Sequence, residues 1–137
     1  MKRIAWYITP HGYGHGARST DLIRTVAARR PEVVFVVCTT LSESFLRARL
    51  VGVNFTIRSV ALDVGMVQAD SVRVDLAATL KNLRGLLDSW DTRVAEEVDW
   101  LDAADVDGVV ADISGIALEA GARGGVPTVA VGNFGWD

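Results

Sequence analysis

Glu32–Thr39 reads EVVFVVCT, apolar at nearly every position. A strand with one wet face alternates in polarity; a strand buried on both faces does not, and the latter belongs to a parallel sheet covered by helices on each side. Before this run, Gly16–Arg30 has helical spacing, with Leu22, Ile23, Val26 and Ala27 on one face, and Pro31 ends it. Earlier still, Arg3–Thr9 is a strand candidate. After the run come a short helix, Ser42–Leu50, with Ser42 as N-cap, and a more alternating strand, Asn54–Val60, suited to a place nearer the sheet edge. Ala61–Asp75 has no clear period and reads as an irregular loop. Leu76, Leu80, Leu83, Leu87, Trp90, Val94, Val98 and Leu101 then recur at steps of three and four, predicting helix over 74–103 with a bend near Gly85 or Ser89. Asp107–Ala111 is another buried strand, Ser114–Arg123 a helix, and Pro127–Val131 a fifth strand. The alternation predicts a single α/β domain: a Rossmann-like, doubly wound parallel sheet of about five strands in the order 3-2-1-4-5, with flanking helices.

Composition narrows the function. Half of the 137 residues are hydrophobic, enough for a real core, and the net charge of −3 with scattered Lys and Arg argues against nucleic acid. The apolar runs are far shorter than the ~20 residues that span a bilayer. Lys2 and Arg3 lead into a short first strand rather than a signal peptide. The lone Cys38 rules out a disulfide framework and fits a reducing cytoplasm.

In a sheet of that order, ligands bind beyond the carboxyl ends of the strands where the order reverses, between strands one and four. Two segments meet there: Pro10–His15 and Asp112–Gly115. The first lies in ITPHGYGHGARSTD (Ile8–Asp21), which contains both histidines of the chain, His11 and His15. Three chemistries are open to it. Gly12, Gly14 and Ala17 satisfy the G-x-G-x-x-A dinucleotide fingerprint, but the second strand ends in Cys38-Thr39-Thr40 without the acidic residue that would hold a ribose. A metal could use the two imidazoles, yet no H-E-x-x-H pattern is present and Asp112 would have to come from elsewhere. The third chemistry combines a phosphate cradle with acid–base work: Gly12, Gly14 and Gly16 open backbone N–H groups at a helix N-terminus, beside an imidazole suited to taking a proton from a hydroxyl. Two imidazoles in one glycine turn at the switch point favour this last reading.

Five segments, in order, carry a family likeness: PHGYGHGAR (Pro10–Arg18), GMVQADSVRVD (Gly65–Asp75), AEEVDWL (Ala95–Leu101), VVAD (Val109–Asp112) and VGNFGWD (Val131–Asp137). With them the chain resembles the N-terminal half of GT-B type glycosyltransferases, and more closely the glycosyltransferase-like N-terminal region of L-arabinokinases and related bacterial proteins. The resemblance implies an acceptor-binding half, with a nucleotide diphosphate sugar as donor substrate, a hydroxyl-bearing acceptor and no resident cofactor. The donor-binding C-terminal half expected to follow is absent from the chain, so the domain is expected to be inactive by itself and to need that half or a partner chain.

In the residue roles this implies, His15 is the base or orienting group and His11 a second candidate base. Asp112 holds His15 or the acceptor, or else caps the next helix. The turn Gly12–Gly16 approaches the diphosphate, and Arg18 binds phosphate or pairs with an acid. Gln68, Asp70 and Ser114 are candidates for substrate contacts. Asn133 and Trp136 resemble the exit of the family's fifth strand, with Trp136 able to stack on a sugar ring. A different class stays open: a non-catalytic sugar- or nucleotide-binding or subunit-docking module.

Overall fold

The EVVFVVCT run forms a strand hydrogen-bonded on both sides. In the computed structural model, which describes residues 1–133, the elements are β1 (Lys2–Ile8), α1 (Tyr13–Arg29), β2 (Val33–Cys38), α2 (Glu43–Arg49), β3 (Phe55–Arg58), α3 (Leu76–Asp88), α4 (Trp90–Ala103), β4 (Gly108–Asp112), α5 (Gly115–Arg123) and β5 (Thr128–Val131). The sheet is parallel throughout, in the order β3-β2-β1-β4-β5. This is the expected order, with β3 at an edge. Register aligns Tyr7 with both Cys38 and Ala111, and Ile8 with Asp112, so β1 and β4 end side by side.

Alternate residues of each strand feed two cores. Trp6, Ile8, Phe35 and Val37 pack with Ile23 of α1 and Leu46 of α2. Ala5, Tyr7, Val109 and Ala111 pack with Val94 and Leu101 of α4 and with Ile116, Ala117 and Ala120 of α5. One face of β2 (Val33, Phe35, Val37) is buried throughout, while on the other Cys38 is buried and Val34 and Val36 are half-buried, which is cover enough for β2 to dispense with polar residues. Gly121 of α5 lies against Val109 and the Thr128 methyl, where any Cβ would collide.

Local signals explain the element ends. Ser42 caps α2 by accepting from the Phe45 N–H, and Ser114 caps α5 by accepting from Ala117. The helix expected over 74–103 is two helices meeting at Ser89, whose hydroxyl bonds back to the Gly85 and Leu86 carbonyls. α1 begins at Tyr13 rather than at Gly16, so Gly14 and Gly16 lie inside the helix. Gly16 is there because a Cβ would sit 2.7 Å from Leu41 Cδ1 and 2.8 Å from Phe45. That close packing of α1 on α2 offsets the backbone entropy that makes glycine a poor helix former. The leucine stripe of α3 has the expected period but faces outward: Leu76, Leu80, Leu83 and Leu87 are exposed and Leu86 is the buried residue. Among the described residues no helix is long and apolar enough to cross a membrane.

Candidate active site

The paired ends of β1 and β4 bring the glycine turn and Asp112 together. Gly12 is the N-cap of α1 with φ 80°, a left-handed conformation that only glycine adopts without cost. His15 then stands in the first turn of α1, and Arg18 and Ser19 follow three and four positions later on the same face.

All three side chains converge on the Asp112 carboxylate, which is fully buried. Arg18 Nη2 donates to Oδ1 at 2.6 Å and Ser19 Oγ donates to Oδ2 at 2.9 Å. His15 Nδ1 lies 3.0 Å from Oδ1. An unprotonated Nδ1 at that distance would set two lone pairs against each other, so the network assigns the proton to Nδ1. His15 Nε2 then carries the lone pair, with no protein partner among the described residues. The ring is 29 % exposed while its carboxylate is sealed. Arg18 Nη1 donates to Asn133 Oδ1 at 2.6 Å, tying the chain after β5 to the same cluster.

The corner after β4 is strained. Ile113, exposed and β-branched, has φ 75°, and Ser114 follows as the cap of α5. The alternative of Asp112 as helix cap does not hold: Ser114 does that work, which leaves the carboxylate to the cluster. Ser114 Oγ, a candidate for substrate contact, is engaged by the Ala117 N–H and buried.

His11 occupies a second position on the rim. Its Nε2 is 3.4 Å from Asp63 Oδ2, and its ring packs so tightly on Gly65 that a Cβ there would come within 2.6 Å. The two histidines thus have separate carboxylates. Among the described residues no group of three His, Cys, Asp or Glu could hold a metal ion.

The segment after β3 is more ordered than its composition suggests. Gln68 bridges to Val74, and Asp70 accepts from the Val72 and Arg73 N–H groups and from Arg73 Nε. Those bonds hold the Asp70 carboxyl below the ordinary range, the Val72 N–H contributing most. Asp70 closes its own turn and is not joined to the His15 cluster. Trp136 lies outside the described residues.

Ser19 and Asp63 were not singled out from sequence. Ser19 could have been found by counting four residues from His15, had the helix been started early enough. Asp63 lies in a segment without period and offers no comparable signal.

The cluster stands at the carboxyl rim of the sheet. A groove of about 700 Å³ runs past the C-terminal half of α1 (Asp21, Arg24, Val51, Val53) and contains none of these groups. The candidate site is the rim, where a partly exposed imidazole with one nitrogen unpartnered among the described residues meets a buried carboxylate.

Known proteins bear on this arrangement. No family model matches the chain. L-arabinokinase of Arabidopsis thaliana is 34% identical over 135 residues, covering 98% of this chain and 13% of that protein. The chain therefore spans about an eighth of the relative's length. A UGT transferase from Siraitia grosvenorii, solved in complex with UDP, superposes with a TM-score of 0.60 at 13% identity, over 96% of this chain and 28% of that one. MurG of Acinetobacter baumannii superposes with a TM-score of 0.49 at 15% identity, over 95% and 35%. The sequence likeness covers nearly the whole domain: the chain is similar in sequence to part of L-arabinokinase, and its parallel sheet with flanking helices has the fold of part of the UGT transferase.

Proposed function

We propose that this domain is the acceptor-binding half of an enzyme that moves a sugar from a nucleotide diphosphate sugar to a hydroxyl, completed by a donor-binding half. The observation that carries the reading is the His15–Asp112 pair, 3.0 Å apart, with the imidazole's second nitrogen unpartnered among the described residues at the carboxyl rim of the sheet. In this mechanism the acceptor hydroxyl gives its proton to His15 Nε2 as its oxygen bonds to the anomeric carbon. The bond from that carbon to the diphosphate breaks, and the nucleoside diphosphate leaves with the electron pair. Asp112 fixes the ring through Nδ1–H and stabilises the imidazolium that forms. The first turn of α1 has backbone N–H groups with no partner inside the helix, at Gly12, Tyr13, Gly14 and His15, and these face the developing negative charge. Gly14 has open space where a side chain would be, which suits a close approach by phosphate. His11, held beside Asp63, is the alternative base.

The test is transfer by the full-length native protein. H15A lowers turnover by roughly 10²–10⁴-fold if His15 is the base, while H11A has the smaller effect. Turnover that survives H15A and falls with H11A moves the chemistry to the other imidazole; survival in both removes it from this rim. Calorimetry of nucleotide sugars against free sugars separates donor from acceptor binding.

A second reading rests on a different observation. Four exposed leucines along one face of α3 suit a subunit-docking module. A chain that binds no sugar or nucleotide, yet loses an association when Leu80 and Leu83 become Glu, supports that reading over the transferase.

A further inference from the structure

Arg18 was expected to meet either a phosphate or an acid, and both of its Nη nitrogens are already committed, while Nε is buried without a partner among the described residues. Nη2 bonds Asp112 Oδ1 at 2.6 Å, Nη1 bonds Asn133 Oδ1 at 2.6 Å, and Nη2 also lies 3.3 Å from His15 Nδ1. Three donors therefore surround one sealed carboxylate, and one of them bears a permanent charge.

That matters for the imidazole. A buried carboxylate facing a lone histidine is itself a reason for the ring to take up a second proton, because the ion pair relieves the unpaired charge. A ring so protonated has no lone pair for a substrate hydroxyl. Here the guanidinium supplies the compensating charge on the same oxygen, and its nearness to the ring opposes a second positive charge there. We propose that Arg18 is a positioning residue that keeps His15 in its singly protonated, Nδ1–H form, so that Asp112 orients the ring without converting it to an imidazolium in the resting state. The proposal rests on the reading of His15 as the base. Among the described residues the charged groups bonded around the ring are Arg18 from α1 and Asp112 from β4; Ser19 and Asn133 join the same cluster and are neutral. Asp63, on the segment after β3, is directed to His11 instead.

The same contacts give Arg18 a second task. It joins α1, the end of β4 and the chain after β5 through one side chain, so the three segments that frame the rim share one anchor.

The test reads the ring directly. In ¹⁵N-labelled protein at pH 7, two-bond proton–nitrogen correlations distinguish Nδ1–H, Nε2–H and doubly protonated imidazole. The wild-type ring is expected as Nδ1–H. R18M raises the ratio of doubly to singly protonated ring by about tenfold. R18K, which keeps the charge, restores the wild-type pattern in large part, and R18M with D112N loses the excess because no carboxylate remains to be paired. R18Q carries the same expectation as R18M if the methionine variant does not give a native amide spectrum. An unchanged ring in R18M or R18Q overturns the proposal, as does an R18K ring identical to that of R18M. The sugar-transfer reading fails separately: if the ring responds as stated while H15A leaves transfer intact, the arginine positions an imidazole that is not the base.

Discussion

Asp112 and Glu97 are both buried almost completely, and both are bonded to an arginine and to a hydroxyl group. Glu97, on α4, receives Arg58 through both Nη nitrogens and the Tyr7 hydroxyl, and the Trp100 ring lies 3.8 Å from the guanidinium carbon. This set bonds α4 to the middle of the sheet and to its edge strand, and its members satisfy one another. Asp112 has the same ingredients plus one: a histidine that stands partly in solvent with a nitrogen unused by the described residues. Buried charge with a bonded partner is thus common to a brace and to a candidate site. What separates the two is whether the chain of hydrogen bonds ends in a group that can still react.

The comparison can be broken in several ways, beginning with the largest effect. D112N keeps the side chain's shape but misdirects His15, and in the native full-length protein it should lower sugar transfer by roughly 10²–10⁴-fold under conditions where urea unfolding shows the protein still folded. E97A should do the reverse. Removing one partner strands Arg58 and costs about 3–5 kcal/mol, read from the urea midpoint, without a specific effect on chemistry. Equal losses of turnover and stability in both variants would erase the distinction.

Next comes pH. Burial pushes the Cys38 thiol from 9.0 up to about 12, and burial likewise holds the Tyr7 phenol well above its ordinary 10.0. Both groups have raised values in the fold, so the unfolded chain gives up these protons first. Their contribution is complete below about pH 9 and is lost as pH climbs from there toward 12. Thiol alkylation at pH 8 should therefore report unfolding, and rapid labelling of the native protein would contradict the burial. The smallest effect is S114A, which removes the cap of α5 beside Asp112 and should cost about 1 kcal/mol in chemical denaturation.

Most of the sheet was readable because its signals are local. The unbroken apolar run of β2, the alternation in β3 and the punctuation at Pro31, Ser42 and Ser89 need no knowledge of the rest of the chain. The pairing of His15 with Asp112 was readable one step further, since strand order puts the ends of β1 and β4 together. Features that depend on tertiary contact were not. Three glycines argue against helix by propensity, yet Gly16 sits in α1 against Phe45 of α2 and Leu41 just before it. The α3 leucines have the period of a buried face and nothing in the described residues to bury it. Glu97 left a mark that could have been read: it falls between Val94 and Leu101, a charge on a core stripe, which calls for a buried partner.

Ile113 bears on how this rim would yield. A β-branched residue at φ 75° holds an unfavourable torsion worth about 1–3 kcal/mol, and it directly follows the carboxylate that Arg18 and Ser19 hold. The corner behaves like a drawn bolt: when Asp112 loses its grip, the backbone has a downhill path to a relaxed shape. Amide exchange should accordingly quicken first at residues 112–115 in any variant of the cluster, while β1 and β2 keep their protection.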